Sequence, residues 1–386
     1  MLGRKRHKTF EIHLKKENRW SIETVLDNEV KATARAKDYL LSNGVTAVKV
    51  VKETTGFTGR RLQTPVFSAE RGTISTKSRI CYTPEPFTAP LENANDLIAP
   101  IVRRAMGQTI KNYLVDQVIS PTEFLFAPQH LQRFYKDDKL STIAFFHFVK
   151  GWRNAPKELN HKDIQARIDR FFDDAWKAAQ AREKALPVPV ESIGDIRAHL
   201  EGCRRLFDGR EVELMIATGV CIFLSKHHRW PSKLKQLFLI GNQGGDRAVW
   251  DLVDAVTAEV LEMSEMIKDL LGDHSSLADA LFLLADLATG RDVPVGAGGW
   301  DGAPQLLEGI AAGRLPRTQA SLILRLARAV SGTAVLTKLG ARKDAEAMSR
   351  LRQQLLLPNQ DMVGGQAMER AFEQRWDRIR TQILQE

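Results

Sequence analysis

The chain has few cysteines, no long apolar run and no catalytic signature, and each absence narrows the field. Its three cysteines, Cys81, Cys203 and Cys221, are far apart and odd in number. A disulfide framework is therefore not expected, and a reducing compartment, the cytoplasm, is. No apolar stretch approaches the roughly 20 residues that span a bilayer. Met1 to Phe10 is basic but has no apolar core behind it, unlike a secretion signal. No Ser or Cys stands in a nucleophile motif, and no Cys-x-x-Cys or His-Glu-x-x-His spacing marks a metal site. No cofactor is expected, and no fixed-period repeat makes the chain a solenoid.

What is present is a globular composition with one strong asymmetry. With 386 residues, 43% hydrophobic and 27% charged, the chain has room for two or three domains. The net charge is +9. Residues 1–79 hold 17 Lys/Arg against 8 Asp/Glu, so the whole excess lies in the first fifth of the chain. That distribution points to a polyanionic or acidic partner for this part, or to a solvated basic surface.

Read in order, the pattern is a small mixed module followed by helices. Phe10, Ile12 and Leu14 alternate with Glu11, His13 and Lys15, the mark of a half-buried strand. Trp20, Ile22 and Thr24 suggest a returning strand. Asn28 caps a helix to about Ser42, and Val45 to Val51 forms a third strand. The expected fold is mainly α: a multi-helix, bundle-like body with a small N-terminal β-β-α-β module over 1–52. Residues 53–92, rich in Thr, Ser, Gly and Pro, read as a basic linker with one short hairpin around Val66 and Ile74. Helical subdomains follow over 93–186 and 192–386, separated by the stiff Leu186-Pro187-Val188-Pro189-Val190.

The clearest element is 246–271. Val249, Val253, Val256, Val260, Met263, Ile267 and Leu270 recur every three or four residues, giving an apolar seam along a helix roughly 38 Å long. Asp246 serves as its N-cap and Gly272 as its C-terminal cap. The second subdomain is expected to wrap around this helix.

The candidates for chemistry are sparse. Ile240 to Asp246 is a Gly-rich turn ahead of a helix, but its spacing fits neither phosphate-binding fingerprint, so it reads as a helix–helix connection. His199, Cys203, Cys221, His227 and His228 read as core cysteines and surface histidines. The carboxylate pairs Asp173-Asp174, Glu211/Glu213 and Asp251/Asp254 read as solvated faces. The basic residues Arg4, Lys5, Arg6, Lys8, Lys15, Lys16, Arg19, Arg60 and Arg61, with Trp20 among them, are the candidate anion or nucleic-acid contacts. No standard nucleic-acid recognition module fits them. Three functions stay open. The first is a non-catalytic cytosolic adaptor or regulatory protein that holds a protein partner on its helical body, with the basic module as second contact. The second is a general nucleic-acid binder using the N-terminal part. The third is an enzyme whose site is assembled from distant helices.

Overall fold

The computed structural model describes residues 8–16, 19–40, 45–55, 61–70, 80–81, 85–156, 158–262, 264–271, 274–291 and 303–385. Four strands, β1 (Lys8–Lys16), β2 (Arg19–Leu26), β3 (Val45–Thr55) and β4 (Arg61–Glu70), form one antiparallel sheet in the order β2-β1-β3-β4. Between β2 and β3 runs α1 (Glu29–Leu40), and Asn28 Oδ1 accepts the Lys31 N–H at 3.1 Å, as an N-cap should. The expected β-β-α-β module is thus extended by a fourth strand. Arg61 to Glu70, which contains Val66 of the expected hairpin, is that strand. It pairs with β3 along its length, with a register shift between Val50 and Val51. Ile74, the expected partner of Val66 in a short hairpin, lies outside the described residues.

One face of the sheet is covered by α1. Phe10, Ile12, Leu14, Val48 and Val50 are buried there with Ala32 and Ala36. The register sets Ile12 beside Val50 and Leu14 beside Val48. The two alanines, one turn apart, present only methyl groups, which lets the helix lie close to the β-branched strand surface. This core is separate from that of the body. Among the described residues, an exposed ion pair links the two parts, Arg229 with Asp38 at 3.5 Å.

The body is helical. After a 3₁₀ turn at Ala94–Ile98 come α2 (Pro100–Thr109), α3 (Lys111–Gln117), α4 (Pro121–Phe126), α5 (Pro128–Tyr135), α6 (Asp138–Gly151) and α7 (His161–Lys184). Next are α8 (Ile196–Leu206), α9 (Arg210–Leu224), α10 (Trp230–Gly244), α11 (Arg247–Glu262) and α12 (Ser264–Leu271). The series ends with α13 (Leu277–Thr289), α14 (Ala303–Ala311), α15 (Pro316–Val330), α16 (Ala341–Gln354) and α17 (Gly365–Ile383). None of the helices among the described residues is long and apolar enough to cross a membrane. Local side-chain caps start several of these helices: Ser120 and Glu123 form a capping box at α4, Asn160 caps α7, and Ser276 caps α13.

The expected central helix appears as α11 and α12 on either side of Met263; Met263 and Gly272 lie outside the described residues. Val249, Val253, Val256 and Val260 are each at most 1% exposed. Gly241 of α10 lies where an added Cβ would come within 2.9 Å of the Trp250 ring, so these two helices pack at contact distance. The helix also supplies polar ties. The Glu259 carboxylate accepts the Thr122 N–H at the start of α4 and the Arg103 Nε–H. The Asp254 carboxylate accepts the Arg317 and Thr318 N–H groups, both at 2.8 Å, at the start of α15. Leu315, the residue ahead of α15, has no capping side chain, and a carboxylate from α11 does that work. Asp254 is 1% exposed, so its expected solvated setting is wrong; Asp251, one turn earlier, is exposed.

Aromatic rings fill the first half of the body. Phe124, Phe134, Phe145, Phe148 and Phe172 meet with centroids 5.0–6.2 Å apart, mostly edge to face. Phe146 leaves this cluster and packs on His161 instead. A single connected set of buried side chains runs from Ile80 to Ile379.

Candidate functional site

The face of the sheet away from α1 carries the residues that alternate with the module's core. The register sets Lys15 between Trp20 of β2 and Ala47 of β3, His13 between Ile22 and Lys49, and Glu11 between Val25 and Val51. Trp20 is 41% exposed, Ile22 55% and Val25 50%. Three large apolar side chains are thus exposed together along one strand of a small sheet.

Charge on this face is graded along the strands. Glu11 and Glu53 lie toward one end, and the His13 ring hydrogen-bonds Glu11 at 3.0 Å. Toward the β1–β2 connection stand Lys15 and Lys49, and the backbone register there sets Lys16 opposite Arg19. The Lys49 ammonium sits 4.8 Å from the centre of the Trp20 ring, a cation–π contact that holds the indole at the surface. The corner therefore combines an exposed aromatic plane with the cations Lys15 and Lys49.

Of the expected contacts, Lys8, Lys15, Lys16 and Arg19 lie on β1 and β2, and Arg61 opens β4 at the far edge. Sequence order thus brings Lys15, Lys16 and Arg19 to one corner and leaves Arg61 two strands away. Arg4, Lys5, Arg6 and Arg60 lie outside the described residues. Lys49 was missed. Its signal was present in the strand Val45 to Val51, where it is the one charged residue, but assigning it to the outer face requires the register with β1.

The other sequence candidates resolve into structure. Gly245, at φ +68°, ends α10 in a left-handed conformation, and Asp246 Oδ1 accepts the Val249 N–H at 2.9 Å while pairing with Arg204. The Gly-rich turn is a helix–helix connection, as expected. His199 is fully buried, not at the surface: Gly219 makes room for its ring, and its Nε2 is 3.6 Å from the Cys203 sulfur. Burial pushes the His199 pKa down and the Cys203 thiol up to about 11, so both are neutral near pH 7. Asp173 pairs with Lys177 one turn on. Glu213 lines a cavity of about 240 Å³ with Arg103, Arg210, Asp251 and Arg317.

The most deeply buried charges serve packing. Lys233 and Glu123 form an ion pair in which both side chains are at most 1% exposed. Glu123 also accepts the Ser120 N–H at 2.9 Å. Burial pushes the Lys233 pKa down, and the Glu123 carboxylate opposes that shift. Comparison of the chain with protein-family models, with curated proteins and with solved structures finds no match in any of the three.

Proposed function

We propose that the chain is a nucleic-acid-binding protein whose N-terminal sheet takes a single strand at the β1–β2 corner, with the helical body as a non-catalytic scaffold. The observation that carries this reading is the exposed Trp20 ring, braced by Lys49 within a basic corner. An indole plane at the surface stacks an unpaired base, and the neighbouring ammonium groups meet the phosphates on either side. A duplex keeps its bases stacked on each other and offers this corner phosphates alone. Fluorescence anisotropy with a labelled 15-nucleotide strand tests the reading. If about four phosphates are met, log K falls against log salt with a slope near −3. Trp20→Ala is expected to weaken binding by about 1–3 kcal/mol. Binding that ignores salt, or that is unchanged in Trp20→Ala, rules the reading out.

A protein partner on the body is the second reading, favoured by a groove between α16 and α17. Its volume is about 670 Å³, its floor carries Leu356, Phe372 and Trp376, and its rim carries Arg352, Glu369 and Glu373. An apolar floor with a charged rim suits an amphipathic segment of an adaptor's partner. The three cysteines are free, which supports a reducing setting such as the cytoplasm. A photo-crosslinker at Arg352 tests this: a single specific adduct supports it, and no adduct from cell extract counts against it.

A further inference from the structure

Away from the sheet, the body holds a second basic site. A cavity of about 280 Å³ lies between α2, the start of α3 and α15, closed by Glu262 at the end of α11 and by Glu85. Four cations line it: Arg104, Lys111, Arg325 and Arg328. Two carboxylates face them, so the formal charge of the lining is positive. Leu324 is the one apolar side chain in the wall, which makes the cavity unsuited to a hydrophobic ligand.

The cations are only partly answered by the protein. Arg104 shares Glu262 and Glu85 at 3.5 and 3.7 Å, yet its buried Nε–H has no hydrogen-bond acceptor. Arg325 donates to the Glu262 carbonyl at 3.1 Å. Among the described residues, neither Lys111 nor Arg328 makes an ion pair or a side-chain hydrogen bond. Lys111 is nonetheless half-buried. Burial pushes the Glu262 carboxyl up, against the opposing charges of Arg104 and, more weakly, Arg328. Arg325 and Arg328 stand three residues apart on one helix, a spacing at which like charges repel. A half-buried ammonium without a partner and neighbouring guanidinium groups are a poor arrangement for an empty cavity. They are a good one around an anion with several acceptor oxygens.

We propose that this cavity binds a phosphate group, held by Lys111 and Arg328 with Arg104 donating from the floor. The inference rests on the body alone and is independent of the sheet reading. The phosphate has two sources to separate: a small phosphorylated molecule, or the backbone of a bound nucleic acid.

Isothermal titration calorimetry on the full chain with inorganic pyrophosphate at 150 mM NaCl is the test. Saturable binding is expected at one site per chain, weakened at least tenfold in Lys111→Gln/Arg328→Gln. The charge-matched control Lys343→Gln/Arg380→Gln, on exposed residues of α16 and α17, should bind as the parent does. Circular dichroism establishes that each variant is folded, and Arg328→Gln alone, at an exposed position, serves should the double variant not fold. A 15-nucleotide strand added as competitor to the Trp20→Ala protein distinguishes the sources. Displacement of pyrophosphate assigns the phosphate to nucleic acid, and retention assigns it to a small molecule. No saturable heat up to 5 mM pyrophosphate, or equal affinity in the pocket variant and the control, overturns the proposal.

Discussion

Replacing Lys233 by Met removes the positive half of an ion pair that water does not reach. The Glu123 carboxylate then keeps the Ser120 N–H as its described hydrogen bond. Leaving one buried charge uncompensated costs about 3–5 kcal/mol. Glu123→Gln/Lys233→Met restores a neutral pair, with Gln able to keep the capping box and Met keeping the unbranched length. It should lie within about 1 kcal/mol of the parent. Urea unfolding followed by circular dichroism at pH 7 and pH 5 measures all three proteins. A Lys233→Met loss below 1 kcal/mol, or a double variant no more stable than the single one, refutes the reasoning.

Three further outcomes are expected. Asp254→Ala leaves the N-terminal amides of α15 buried without an acceptor and should cost about 2–4 kcal/mol in urea unfolding, whereas Asp251→Ala should change little. Burial first, then Lys233, holds the His130 pKa well below 6.5. Because that folded pKa is depressed, its stability contribution is complete above about pH 6.5 and is lost as pH falls; His130→Gln should flatten the decline measured between pH 6.5 and 5. Burial raises the thiols of Cys203 and Cys221, so Ellman's reagent should label Cys81 in the native protein and reach the other two on unfolding.

The body was legible because its signals are local. The valine row of α11, the capping box at Ser120 and the N-caps at Asn160 and Ser276 each depend on residues within one or two helical turns. What escaped depends on distant partners. Asp254 and Asp251 sit one turn apart on the same helix, and nothing local says that one meets the start of α15, 63 residues later. Lys233 carries no local sign of burial, because its partner Glu123 comes from another helix. His199 is polar enough to suggest the surface, and it is buried because Gly219 leaves a space for its ring. In the module, β1 and β3 were visible from alternation and β-branched residues. β4 showed only as a short hairpin strand around Val66 because its Thr, Ser and Pro weaken the alternation, and the role of Lys49 depended on a pairing register that no single strand encodes.

Hydrogen–deuterium exchange on the full chain, with and without a saturating 15-nucleotide single strand, tests the central claim most directly. The account predicts new protection from Lys15 to Ser21 and from Ala47 to Lys49, and none on α1, which covers the opposite face. Protection confined to the helical body, or to α1, would contradict it.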